Sequence, residues 1–173
     1  MQRLNRRLWW LAIVVAFLPA AAWAGGPPGI TISGGGVAKF VNPNGCFGDQ
    51  PDEDGFFGES NFAVSAKIDA EGTVTGQFIC MVKECAPAGG NQLTIIGKFT
   101  NVLGTSEDPD VVSLGGVAKV EVRGAGIVAE FPFTIELHEG PPGVGKFIYD
   151  DPGVPDPGDE EVVSSGHIMI NFH

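Results

Sequence analysis

Three cysteines, two acidic stretches and a histidine followed by a glutamate are the residues of this 173-residue chain whose types and spacing could do chemistry. A thiol can serve as a nucleophile, a metal ligand or half of a disulfide. In Phe78-Ile79-Cys80-Met81-Val82 the cysteine shares its alternate face with Phe78 and Val82, which places Cys80 inside. Cys46 follows Asn44-Gly45 and Cys85 precedes Ala86-Pro87, so both read as loop residues able to meet, and the expected disulfide is Cys46–Cys85. Cys80–Cys85 is the rival pairing, but an extended strand holds those Cα atoms too far apart unless the chain bends between them. No C-x-x-C or histidine cluster accompanies the thiols, which argues against a zinc site.

The acids offer different chemistry. Calcium takes six to eight oxygens from carboxylates, carbonyls and water on flexible loops. The segment from Asn42 to Gly58 holds Asp49, Asp52, Glu53 and Asp54, and Asp52-Glu53-Asp54-Gly55 resembles a fragment of such a loop. A second segment, Asp150 to Glu161, mixes further acids with proline and glycine. Neither completes the D-x-[DN]-x-[DN]-G-x5-E pattern. The expected metal ligands, for calcium, are Asp49, Asp52 and Asp54 first, then Asp150 and Asp151; the competing reading is that these acids keep the surface soluble.

Catalytic signatures are sparse. There is no G-x-S-x-G elbow, and Ser164-Ser165-Gly166-His167 reads as a loop entering a strand. His138-Glu139 runs into Gly140-Pro141-Pro142, which cannot continue the helix of a zinc-binding H-E-x-x-H. Two carboxylates suffice for glycoside hydrolysis, so Glu130 and Glu136, on one face of one strand, carry the alternative reading of a glycan hydrolase.

What must position these residues is a set of β-strands. Phe62, Val64, Ala66 and Ile68 alternate with Ala63, Ser65, Lys67 and Asp69; Asp69-Ala70-Glu71-Gly72 then supplies a turn into Val74, Gly76, Phe78 and Cys80. Further strands read from Leu93 to Thr100, Val117 to Val122, Ile127 to His138 and Lys146 to Tyr149, with a last one placing Ile168, Ile170 and Phe172 inward. In the longest, Ile127, Ala129, Phe131, Phe133, Ile135 and Leu137 share the apolar face, and Pro132, lacking an amide hydrogen, must sit at an edge or bulge. No stretch after residue 24 has helical periodicity. The expected fold is all-β, an antiparallel β-sandwich or barrel of about eight to nine strands.

The N-terminus sets the expected location. Arginines at 3, 6 and 7 precede an apolar run from Leu8 to Leu18 and an Ala22-Trp23-Ala24 ending, the pattern of a secretory signal peptide. Residues 1–24 are therefore expected to be cleaved and 25–173 to form a single domain, periplasmic or secreted from a bacterium; Arg6-Arg7 also fits twin-arginine export of a folded chain. Loss of those three arginines takes the formal charge from −11 to −14, which disfavours nucleic acid and anionic membranes as partners. The expected partner is a protein or another envelope component, and the mature form is expected not to be embedded in a membrane. All tryptophans fall in residues 1–24 and the chain has one tyrosine, so there is little aromatic surface on which sugar rings could stack.

The string Gly-Gly-Val-Ala-Lys occurs at 35–39 and again at 115–119. Ala118, Val120 and Val122 form the apolar face after the second copy, whereas Val37 and Val41, with Phe40 opposite, are expected after the first. The repeat reads as two strand entrances rather than a duplicated site.

The order Gly34-Gly35-Gly36, Gly115-Gly116-Val117-Ala118, Phe131-Pro132-Phe133-Thr134-Ile135-Glu136-Leu137 and Gly166-His167-Ile168-Met169-Ile170 resembles small secreted bacterial β-domains of the post-COAP type. That resemblance implies an exported β-domain, found alone or at the ends of larger exported proteins, with no particular activity attached. Taken together, the residues point to a non-catalytic binding or structural module, stabilised by a disulfide and by calcium in its acidic loops.

Overall fold

The computed structural model describes residues 29–43, 50–85, 89–105, 110–150 and 159–173. Residues 1–24, expected to be a signal peptide, lie outside them, as do Cys46, Asp49 and Asp151. Eight strands follow in order: β1 (Ile30–Phe40), β2 (Glu59–Ile68), β3 (Val74–Cys85), β4 (Asn91–Thr105), β5 (Val111–Val122), β6 (Gly126–His138), β7 (Lys146–Asp150) and β8 (Asp159–Phe172). Each pairs antiparallel with its sequence neighbours, and β8 closes back on β1, so of the two all-β architectures expected the chain adopts the barrel.

The alternation in the sequence decides which side faces in. Phe62, Val64, Ala66 and Ile68 are buried while Ser65 and Lys67 are exposed, and β3 buries Val74, Phe78 and Cys80 on the same side. The turn between them forms as expected: the Gly72 amide donates to the Asp69 carbonyl, and Asp69 Oδ1 accepts the amides of Glu71 and Thr73. Eight strands enclose a space just wide enough for side chains to fill. Here the filling is aromatic. Phe147 packs against Phe62 and Phe78 with ring centroids 5.1 and 5.2 Å apart, and Phe133 meets Tyr149 at 5.6 Å and Phe99 at 5.9 Å. Each such pair adds about 0.5–1.5 kcal/mol beyond its area burial.

Three local features depart from the sequence expectations. First, the two Gly-Gly-Val-Ala-Lys strings present the same face: Ala38 and Ala118 are fully buried and the valine and lysine of each copy point out, so the first copy buries Ala38 and Phe40 rather than Val37 and Val41. In each, the second glycine lets the neighbouring strand close in, since a Cβ on Gly36 would stand 1.9 Å from the Ser165 carbonyl oxygen and one on Gly116 would stand 2.0 Å from that of Lys98. The repeat is a shared packing device. Second, β5 and β6 slip register between Val120 and Glu121, where Ala129 and Ile127 are their successive partners. Val128 is the extra residue of this bulge, and beyond it Ile127 turns outward, 54% exposed, instead of joining Phe131 and Phe133 inside. Third, β8 begins at Asp159, so Glu161 belongs to a strand rather than to an acidic loop.

Pro132 sits where its missing amide requires. Although β6 lies within a closed barrel, its pairing with β7 spans only Thr134 to His138, so the strand is locally an edge at Pro132. The seam between β7 and β8 is also short, at Lys146 to Tyr149 against Asp159 to Val162. The Gly140–Gly145 turn extends it: Gly140 and Ile168 exchange amide-to-carbonyl bonds at 3.0 and 3.1 Å, and the Val163 amide donates to the Gly145 carbonyl at 2.8 Å.

Candidate functional site

The Asp52–Phe56 turn is the better described of the two acidic segments. Asp52 Oδ1 accepts the amides of Asp54 and Phe56, both at 2.9 Å, which folds the segment into a compact turn. Its other oxygen lies 3.9 Å from Lys39 Nζ, and Asp54 Oδ2 lies 3.0 Å from the same ammonium, which also sits 5.0 Å above the Phe56 ring. The two carboxylates thus converge on a cation, and that cation is the lysine of the first Gly-Gly-Val-Ala-Lys string. The bond from the Phe56 amide, aided by that of Asp54 and by Lys39, holds the Asp52 carboxyl below the usual range; the Asp54 bond holds the Lys39 ammonium above its own.

A pH dependence follows from the Asp52 shift. A carboxyl with a depressed native pKa contributes stability above its unfolded value and loses it as pH falls through the native one. The Asp54 and Phe56 amides are expected to lose hydrogen-exchange protection as pH drops below the ordinary carboxylate range. In Asp52→Asn, whose amide oxygen can still accept both bonds, that dependence is expected to vanish. Unchanged protection in the parent down to pH 2 would show that the ionised carboxylate does not hold the turn.

The second group of expected ligands does not join the first. Asp150 ends β7 opposite Thr134, whereas the Asp52 turn is tied through Phe57 and Gly58 to the end of β1 at Phe40. Among the described residues no group of three His, Cys, Asp or Glu side chains is arranged to hold a metal. Glu130 and Glu136 stand six positions apart on β6, roughly 20 Å at strand rise. Paired glycosidase carboxylates lie about 5–9.5 Å apart. Glu130 bonds instead to Lys119 at 3.4 Å and Glu136 to His138 at 2.6 Å, so neither faces the other across a cleft.

Sequence reasoning missed the one carboxylate that is buried among the described residues. Glu161 is 2% exposed and accepts hydrogen bonds from Ser60 Oγ and, at 3.6 Å, from Cys80 Sγ. It opposes Phe40 on one side and Phe147 on the other. Its signal was faint: Glu161 shares the inward parity of Val163, but the bulge at Ser164 puts both out of phase with Ile168 and Ile170. Cys85, read as a loop residue, is the last residue of β3 and is 1% exposed.

An open groove of about 690 Å³ lies on the outside of the barrel over the middle of β3, β4 and β5. Gly76, Ile96 and Val117 form its floor, and Gln77, Lys98, Thr100 and Lys119 rise around it. Apart from Gly76, which has the inward parity of Val74 and Phe78 and opens the floor by lacking a side chain, these residues occupy outward positions of their strands, yet nothing in the one-dimensional pattern brings three strands' worth of them together. No family model, curated protein or solved structure matches this chain.

Proposed function

We infer that this protein is an exported, non-catalytic binding module whose working surface is the outside of its barrel. The observation that carries this reading is where the polar groups stand. The interior is filled by interlocking aromatic and aliphatic side chains, with Glu161, Ser60 and Cys80 already engaged with one another, so the side chains accessible to a ligand are outward ones. The inside is apolar and the outside carries Lys67, Lys98, Lys119 and Glu130, the reverse of a lipid-embedded barrel. Export is supported by the basic, apolar and Ala-x-Ala order of residues 1–24. The order of glycines and strands supports membership of the post-COAP type of secreted β-domain. A Cys46–Cys85 disulfide is supported by the bonded form of Cys85 and by the engagement of Cys80 with Glu161.

The test is turnover against capture. Incubated with neutral and acidic glycans, esters and peptides, the purified protein is expected to release no product while retaining a subset of them on an affinity column. Release of new reducing ends, lost in Glu130→Gln or Glu136→Gln, would replace this reading with that of a hydrolase.

A second reading, stabilisation by calcium, is favoured by the convergence of Asp52 and Asp54 on a cation. If calcium displaces Lys39 from that turn, millimolar calcium is expected to raise the melting temperature by several degrees over EDTA, and Asp52→Asn with Asp54→Asn to abolish the rise. Identical melts would leave Lys39 as the only cation the turn needs.

A further inference from the structure

We propose that the groove over β3, β4 and β5 binds a carboxylated glycan, with Lys98 and Lys119 meeting its carboxylates. This rests on the reading of the protein as a non-catalytic binding module and supplies its ligand class. The register places the groups. Gln77 lies directly opposite Lys98, Lys98 opposite Val117, and Ile96 opposite Lys119. Lys98 and Lys119 are therefore diagonal neighbours on adjacent strands, about 7–8 Å apart at their bases, with long flexible side chains. Lys67, exposed on β2 two residues from Ser65 at the rim, extends the positive face.

Charge is unevenly distributed over an acidic chain. The Asp52–Asp54 turn, between β1 and β2, and the outward acids Asp150 and Glu160, on β7 and β8, line no part of the groove, whereas Glu130 of β6 does. At physiological salt a charge is screened within about 8 Å, so an anion seated between Lys98 and Lys119 senses those lysines and Glu130 more than the acids beyond the groove. Lys119 already holds one carboxylate, that of Glu130 at 3.4 Å on the groove's rim. An incoming carboxylate competes there with Glu130 for Lys119.

The choice between a carboxylated glycan and an acidic peptide follows from the backbone. Across the groove β4 is hydrogen-bonded to β3 on one side and β5 on the other, so an extended peptide finds no strand edge to join. What the groove offers is side-chain chemistry: the Gln77 amide, the Thr100 and Ser65 hydroxyls, two ammonium groups and the Glu130 carboxylate as an acceptor. That set matches a ring bearing hydroxyls and a carboxylate. Neutral sugars bind largely by stacking on aromatic faces, and the floor of Gly76, Ile96 and Val117 has none; ion pairing removes that requirement.

The experiment is isothermal titration of the purified protein with oligogalacturonate and oligomannuronate, with the methyl ester of the former as the uncharged control and oligoglutamate as the peptide control. Binding of at least one uronate oligomer is expected, weakened about tenfold by Lys98→Ala and again by Lys119→Ala, the scale of one hydrogen bond to a charged group, and lost on esterification. All positions are exposed, so the variants are expected to melt with the parent. No heat from either uronate, or binding indifferent to both lysines, would overturn the groove assignment while leaving the non-catalytic reading intact. Tighter binding of oligoglutamate would reassign the groove to an acidic protein segment. Cleavage of a bound uronate oligomer would overturn the non-catalytic reading and leave the groove standing.

Discussion

Alanine at Gly36 is expected to lower the melting temperature by about 10 °C or more, and alanine at Gly116 by somewhat less, whereas alanine at Gly35 is expected to be mild. The three differ in what the new methyl group meets. At Gly36 it would lie 1.9 Å from the Ser165 carbonyl oxygen, and the residue's φ of +152° already lies where a side chain is strained. At Gly116 it would lie 2.0 Å from the Lys98 carbonyl oxygen, without such a φ. At Gly35 the nearest atom, the Phe62 carbonyl oxygen, is 3.3 Å away, a gap that a small shift can relieve. Overpacking costs about 1–3 kcal/mol when side chains can yield. Here the obstacle is a strand backbone held in a ladder, so about 3–5 kcal/mol is expected at Gly36. A loss of 1 kcal/mol moves the midpoint by roughly 2–4 °C in a domain this size. If Gly36→Ala melts within 2 °C of the parent, the close approach of β1 and β8 is not what closes the barrel.

This result also bears on the repeated string. Its equivalence could not be seen along the chain because face assignment depends on register: Val37-Ala38-Lys39 leads into Phe40-Val41, whose apolar character at both positions hides the parity. Pairing resolves it, since Gly36 faces Phe62 of β2 and Gly116 faces Phe133 of β6. The two hairpins put the same glycine under an aromatic partner.

Elsewhere, strict alternation made the fold readable. β2, β3 and most of β6 were legible residue by residue because a half-buried strand with polar outward positions leaves its period in the sequence. The barrel was not distinguishable from a sandwich, because closure depends on β8 meeting β1 and no local pattern encodes a pairing at that separation. The bulge at Val128 was equally silent: Ile127 and Val128 are both apolar, so either could have been the inward residue. The acidic segments show a different limit. Composition correctly marks Asp52 and Asp54 as a cluster, but the cation between them comes from Lys39, thirteen residues before Asp52 and on another element.

Glu161→Ala is expected to cost about 2–5 kcal/mol in denaturant unfolding, the range for truncating a large buried side chain to alanine. The carboxylate sits inside the barrel with Ser60 and Cys80 both donating to it. Its removal leaves a cavity between Phe40 and Phe147 and strips the buried Ser60 hydroxyl of an acceptor. Ser60→Ala is expected to cost less, since the thiol still donates and only one bond is lost. The double variant Ser60→Ala with Glu161→Leu separates two explanations. If the cost arises from orphaned polar groups, replacing both partners by apolar ones recovers much of the loss, and the double variant is more stable than Glu161→Ala alone. If the double variant is no more stable than Glu161→Ala, an apolar pair does not substitute for the hydrogen-bonded cluster and the orphaned-group explanation fails. The distinction matters for Cys80, because the Glu161 carboxyl that accepts from it also holds that thiol in the core. Cys80 is expected to resist alkylation in the folded parent and to react in Glu161→Ala at the rate set by global unfolding; labelling of the parent faster than its unfolding would show that the cluster opens without the barrel.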